Sequence, residues 1–489
     1  MNFIDEFMRK TTEKESENGG LVYSTTSNPV LDLFASIGGM RKRDELDVIS
    51  MWLDARNIDK ELADKIILYT RDIRQHGGLG ERKLGRILMK ELAKVDPPKV
   101  CRNFQTFVDI GRWDDLFAFF DTPCEEAMID FIKKQLKEDI INMKTNSSIS
   151  LVSKWMPSIN TSSKKTKMMA KRFCRGMSIS EKSYRKMLSS LRKYIDVVER
   201  KMSDREWDKI NFENVPSYAM MRYQSAFSKH CGKNFIEYKG QVESGEKKIN
   251  SSTLYPYDLI LRLKDVLKDN LDSELLNAQW KSQPDYFKEG KDIIVCADVS
   301  GSMGSLYYNY EHVPPIAVSL GLALYCAYFN KGKYHGYYLT FTDKPHFYHI
   351  NEKKNLFNNV CDGLANIGYN TNMDGMFEAI FEMAKKTGDS PEALVIVSDM
   401  EIDRYMRPNR CDNIVDKWVK KFHDAGLNCP KLILWNAESR QNTYLTRSNN
   451  PYVSFISGAS AGAFSQFTNL INYDAEEAMI KILNQYEYI

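Results

Sequence analysis

The apolar positions of this chain follow two rhythms, and the change between them divides it. From about residue 30 to 280 the period is helical. Leu62, Ile66, Ile67 and Ile73 set one apolar face. Tyr184, Met187, Leu188, Leu191, Tyr194, Ile195, Val198 and Met202 set a longer one, mostly at spacings of three and four. Ser178 and Glu181 have the spacing of a capping box and predict where that second helix starts. No β alternation and no crisp repeat breaks this half, which reads as irregular antiparallel helix pairs of an α-solenoid, with a compact bundle as the alternative. The polar stretch 159–167 predicts a mobile loop, and 241–252 a second break.

After residue 290 short apolar runs alternate with helical segments. Strands are predicted at 293–297, 336–342, 393–397, 431–435 and 452–456. Helices fall near 315–329, 373–386, 412–425 and 472–485. Wholly apolar strands between helices imply a parallel sheet covered on both faces. Ligands of such sheets bind off the carboxyl ends of the strands, where Asp298 and Asp399 stand. Gln283, Pro284 and Gly290 mark the boundary. The chain is thus expected to hold a polar N-terminal arm (1–30), an all-α domain (31–285) and a doubly wound α/β domain (286–489).

Composition adds bounds. With 489 residues, 43% hydrophobic and 27% charged, the chain reads as a soluble multidomain protein. No apolar run approaches the roughly 20 residues of a membrane span, and the first residues lack the pattern of a signal peptide. The nine cysteines include no Cys-x-x-Cys, so a reducing, cytoplasmic setting is expected rather than a disulfide framework. The net charge of +3 conceals an asymmetry: residues 151–250 hold 22 Lys and Arg against 10 Asp and Glu. Lys164, Lys165, Lys167, Lys171, Arg172, Arg175, Lys182, Arg185 and Lys186 crowd one stretch of it. Such a run is either a solvated helical face or the footprint of a nucleic acid.

One motif carries specific chemistry. Asp298-Val-Ser300-Gly-Ser302 follows the strand at 293–297 and sets a carboxylate and two hydroxyls on one turn. Oxygen donors of this kind suit Mg²⁺, Ca²⁺ or Mn²⁺ rather than Zn²⁺. Thr371 and Asp399 complete a set of five oxygen-bearing residues. Enzyme signatures are missing. The motif has Asp where a nucleophile elbow needs Gly, and no His-Glu-x-x-His occurs. Gly77-Gly-Leu-Gly-Glu-Arg-Lys83 is not a Walker A loop and reads more simply as a helix-terminating turn than as a phosphate cradle.

The five-residue set, in order and strand context, resembles the metal-ion-dependent adhesion site of von Willebrand factor A domains. By that resemblance Ser300, Ser302 and Thr371 would reach a divalent cation (Mg, with Ca or Mn as alternatives) by hydroxyl, and Asp298 and Asp399 mainly through water. An open position would then accept an acidic protein ligand. Segments of the helical half, Tyr69-Thr-Arg-Asp-Ile-Arg74, Ile110-Gly-Arg-Trp-Asp-Asp-Leu116, Lys154-Trp-Met-Pro157 and Val215-Pro-Ser-Tyr-Ala219, look like those of an uncharacterised family of TROVE/Ro-like proteins found in plants, fungi, bacteria and giant DNA viruses. The resemblance implies HEAT-like repeats, open or closed into a ring, ahead of the A domain. It further implies a monomeric, non-catalytic, RNA-binding scaffold, cytoplasmic or carried in a virion, with no membrane partner. The nine basic residues above would meet phosphates. Arg71, Arg74, Arg82 and Arg112 lie in the shared motifs, and Trp113, Trp155 and Tyr184 could stack bases. Core packing is the simpler role for the aromatics, and ion pairing with Asp72, Asp114 or Asp115 for the arginines. The alternative function is a metal-dependent protein-interaction module without RNA.

Overall fold

The computed structural model describes residues 12–73, 76–195, 197–268, 272–287, 290–307, 312–404 and 413–487. The first described residues do not extend as an arm. They form an antiparallel hairpin of β1 (Glu13–Glu15) and β2 (Leu21–Tyr23) that docks on the C-terminal half. Tyr23 and Tyr444 exchange backbone hydrogen bonds of 2.8 and 3.0 Å, and the Ser16 hydroxyl donates to the Ile402 carbonyl at 2.5 Å.

The C-terminal half is built on one six-stranded sheet. Its strands are β3 (Ile293–Asp298), β4 (Tyr337–Phe341), β5 (His346–His349), β6 (Ala393–Ser398), β7 (Lys431–Asn436) and β8 (Val453–Ser457), in the order β5-β4-β3-β6-β7-β8. All neighbours are parallel except the β4–β5 edge pair. Every residue of β3, β6, β7 and β8 is buried, so both faces are covered, as their continuous apolar runs predict. Helix Pro315–Phe329 is apolar almost all round and buried along most of its length, because it lies between the sheet and helix Pro256–Ile260. The sequence reading missed β5, whose residues alternate between half-buried and exposed at the sheet edge.

The N-terminal half is helical. Helix Pro29–Ser36, capped by the Asn28 side chain and started by a proline, packs on β8. Helices then follow one another to Ile195, with two departures from expectation. Residues 164–167 are not loop: helix Lys164–Gly176 begins there, with the Ser163 hydroxyl accepting the Thr166 amide at 3.3 Å. The apolar face ending at Met202 belongs to two helices, Glu181–Ile195 and Val198–Ser203. The first is capped by Ser180, whose hydroxyl accepts the Ser183 amide at 3.1 Å. Ser178 instead takes a left-handed turn (φ 57°) just beyond the end of the preceding helix. Phe212, Phe227, Phe235 and Tyr238 centre a small separate core around residues 198–249, whereas the earlier helices share one continuous core with the sheet.

The helical half leaves the sheet domain and returns to it. Helices Pro256–Ile260 and Ser273–Lys281 pack on Pro315–Phe329 and Leu356–Gly363, while helix Ala475–Leu483 packs on Lys60–Arg71. The glycine loop sits in this junction. Gly77 and Gly80 have φ of 68° and 70°, and a Cβ on Gly77 would lie 2.6 Å from the Gly462 carbonyl. Asp72 accepts the His76 amide at 2.8 Å and the Tyr486 hydroxyl at 2.9 Å, tying the loop to the residues that follow the C-terminal helix. Its glycines serve a close approach of chain to chain. Another close approach of two backbones is at Gly38, where a Cβ would fall 2.6 Å from the Gly458 nitrogen. Gly38→Ala is therefore expected to destabilise the protein by about 2 kcal/mol in chemical denaturation, since two backbones must separate.

Candidate functional sites

β3 is the point where the sheet switches direction. Its successor β4 lies on one side and β6 on the other. Ala297 pairs with Val397, which brings the carboxyl ends of β3 and β6 together and opens the crevice in which such sheets hold ligands. All five oxygen-bearing residues named from sequence stand there. Asp298 is fully buried: one carboxylate oxygen accepts the Ser300 amide at 2.9 Å, the other the Ser398 hydroxyl at 2.6 Å. The Thr371 hydroxyl donates to Ser300 Oγ at 3.1 Å, and Ser300 Oγ lies 3.2 Å from Ser302 Oγ. Ser302, exposed at the mouth, also hydrogen-bonds Asp399. Burial, and next the neighbouring Asp399, push the Asp298 carboxyl up to about 7. Burial raises Asp399 as well, against the pull of a guanidinium. Two buried carboxylates facing hydroxyl oxygens form a hard, anionic donor set that fits a divalent cation. Among the described residues no group of three or more His, Cys, Asp or Glu comes together, so the donors of this crevice are two carboxylates and neutral hydroxyls.

The guanidinium is Arg440, which sequence reasoning missed. Its Nη2 lies 2.7 Å from Asp399 Oδ2, and its Nη1 3.2 Å from Glu17 of the N-terminal hairpin. Beside it, Glu401 accepts the Glu17 amide at 2.8 Å and the Thr443 hydroxyl at 3.0 Å. Met400, between Asp399 and Glu401, has a φ of 64°, a strained value for a side-chain-bearing residue and one that concentrates at functional turns. The hairpin therefore rests against the rim of the carboxylate crevice. No local signal marks Arg440, which follows Asp399 by 41 positions in another loop.

The basic stretch divides into engaged and disengaged charges. Arg172 is held by Asp121 at 2.9 Å and by Glu125, with its guanidinium over Phe120. It links the turn at Asp121 to its own helix, so its charge is already matched within the chain. Lys171 lies 3.5 Å from Glu181. Lys164, Lys165, Lys167, Arg175, Lys182, Arg185 and Lys186 are exposed, with no ion pair among the described residues.

Of the motif arginines, Arg71 and Arg112 are structural, as is the neighbouring Arg86. Arg71, 2% exposed, gives Asp115 two hydrogen bonds of 2.9 and 2.8 Å. Arg86 bonds Asp115 at 2.8 Å and Asp114 at 2.7 Å. Arg112 pairs with Asp114 at 2.9 Å while covering the Trp155 ring at 4.0 Å. Arg82 is exposed, and Arg74 lies outside the described residues. Trp113 is buried and stacked on Phe131, and Tyr184 is buried with its hydroxyl on the Pro157 carbonyl, so neither can stack a base. All described cysteines are free, and among the described residues no helix is long and apolar enough to cross a membrane.

Two family models match the chain, each described as a domain of unknown function: DUF2828 over residues 126–290 and DUF7788 over 292–487. An uncharacterised protein of Acanthamoeba polyphaga mimivirus is 27% identical, over 96% of this chain and 87% of that one. This relative fits the expected likeness to giant-virus proteins. Among solved structures, the Ro (RSR) protein of Deinococcus radiodurans aligns over 90% of this chain and 99% of its own, with 11% identity and a TM-score of 0.39. The architecture of the chain is a helical N-terminal half followed by a mixed, mostly parallel α/β domain.

Proposed function

We propose that the protein is a non-catalytic RNA-binding scaffold of Ro-like character. The observation that carries this reading is the run of exposed, unpaired cations on the consecutive helices Lys164–Gly176 and Glu181–Ile195. Exposed lysines without acidic partners meet phosphates by releasing counterions, which gives affinity without sequence preference. The test is fluorescence anisotropy with single-stranded and hairpin RNA across a salt series. Lys164→Glu, Lys165→Glu and Lys167→Glu combined are expected to weaken binding by about 30-fold and to flatten the log–log salt slope by about 3, with the far-ultraviolet dichroism unchanged. RNA affinity equal to wild type in this variant overturns the reading.

The crevice at the ends of β3 and β6 supports a second, compatible role. We read the sheet domain as von Willebrand factor A-like. Ser300, Ser302 and Thr371 would hold a divalent cation, Mg²⁺ first, with Asp298 and Asp399 supplying the charge. The cation would supply an electrophilic position for a carboxylate of an acidic protein partner. Capture of such a partner that survives EDTA would overturn this role.

A further inference from the structure

Between residues 158–160 and helix Glu181–Ile195 lies a crevice of about 490 Å³, within the range of small-ligand sites. Arg185, Ser189, Arg192 and Lys193 line it from one face of the helix, at the three- and four-residue spacing that stacks side chains. Arg200 and Asn160 line it from across the gap. No described lining residue is acidic. The central group is Arg192. Its three guanidinium nitrogens donate to the Ser153 carbonyl at 2.8 Å, the Ser158 hydroxyl at 2.8 Å and the Met156 carbonyl at 2.6 Å. All these acceptors are neutral. Arg192 therefore holds a fixed, half-buried positive charge with no carboxylate beside it among the described residues, and burial lowers its pKa. A desolvated charge without a counter-ion is costly, and an anion entering the crevice would offset that cost. Arg185 and Lys193 are exposed at its walls, also without an ion pair among the described residues. Arg200 is only loosely held by Asp204 at 3.3 Å. The buried Tyr184 offers no open ring face for a base. Recognition here is by charge and hydrogen-bond donors, the chemistry of phosphate binding.

We propose that this crevice is a pocket for a phosphate group, carried either by the end of an RNA strand lying on the adjacent lysines or by a free polyphosphate. The first source rests on the RNA reading above and the second does not. The probe is inorganic pyrophosphate, titrated calorimetrically into the full chain. The wild type should bind it saturably, and Arg185→Glu with Lys193→Glu should weaken binding by roughly tenfold or more. Arg192 is left intact because it braces residues 153–158. Lys229→Glu with Lys233→Glu, an equal change of charge at exposed positions outside both the crevice and the basic run, should leave pyrophosphate binding unchanged. An equal loss in that control, retention in the crevice variant, or no saturable binding by wild type each overturns the pocket. A second arm compares RNA oligomers bearing a 5′-phosphate or a 5′-hydroxyl. Preference for the phosphorylated oligomer, lost in the crevice variant, assigns the phosphate to an RNA end. Pyrophosphate binding without that preference assigns it to a free polyphosphate. If RNA fails to bind at all, the pyrophosphate arm still decides the pocket by itself.

Discussion

Asp115→Asn is expected to cost about 3–5 kcal/mol of stability, measured by urea denaturation at neutral pH. The carboxylate is fully buried and receives Arg71 Nε and Nη2, Arg86 Nε and the Arg112 amide, all at 2.8–2.9 Å. An amide at this position removes the charge while two guanidinium groups stay in place. Arg71 is the more serious case, because at 2% exposure it has no route to water. The network also fixes how helices Lys60–Arg71 and Arg82–Val95 meet the turn at 113–119. Losing it should loosen the helical half as a unit. A cost below about 1 kcal/mol would show that the pair is not an uncompensated-charge problem and would undo this account of the motif. An unchanged RNA affinity in the folded fraction is expected alongside, since these arginines are not offered to a ligand.

The second large effect concerns the crevice cation. If the crevice holds Mg²⁺ as proposed, the ion should stabilise the wild type by about 2.7 kcal/mol at a concentration a hundredfold above its dissociation constant. Asp298→Ala should remove that increment entirely. Arg440→Met should do the opposite. The Arg440 guanidinium occupies Asp399 Oδ2 at 2.7 Å, so a metal and the arginine compete for one carboxylate. Removing the competitor is expected to raise divalent affinity by about tenfold, near 1.4 kcal/mol. Thermal melts with Mg²⁺, Ca²⁺, Mn²⁺ or EDTA read both effects. A melt of Asp298→Ala that still rises with Mg²⁺ to the wild-type extent would remove the metal from the crevice. An Arg440→Met variant with weaker divalent binding would mean that the arginine holds the loop in place instead of competing.

The carboxylate crevice and the basic stretch differ in how much of each is legible in the chain sequence. Asp298, Ser300 and Ser302 share one turn, and Asp399 ends a second apolar strand, so pattern and motif led to them directly. Arg440, Ser398 and Glu401 carry no motif, and only the register of β3 against β6 and the docked hairpin brings them in. In the basic stretch the sequence located the charges. It could not separate Arg172, clamped by Asp121 and Glu125, from Lys164 or Arg185, which have no ion pair among the described residues. Helix Lys164–Gly176 was read as loop over its first turn because lysines and polar residues leave its apolar side thin until Ala170. β5 escaped because an edge strand needs only half of the burial that makes an interior strand apolar.

The sequence by itself determined the change from helical to strand-and-helix rhythm, the buried interior strands, the hydroxyl–carboxylate turn and the basic run. Each of these is written in residues near one another along the chain, where period, propensity and charge act. The tertiary structure alone decided which charges are neutralised and which remain for a ligand. It also decided that the N-terminal hairpin closes on the rim of the carboxylate crevice, and that Arg192 stands half-buried with no counter-ion among the described residues. Those outcomes depend on partners brought together by packing and register across long separations, and burial is what turns their charges into strong interactions.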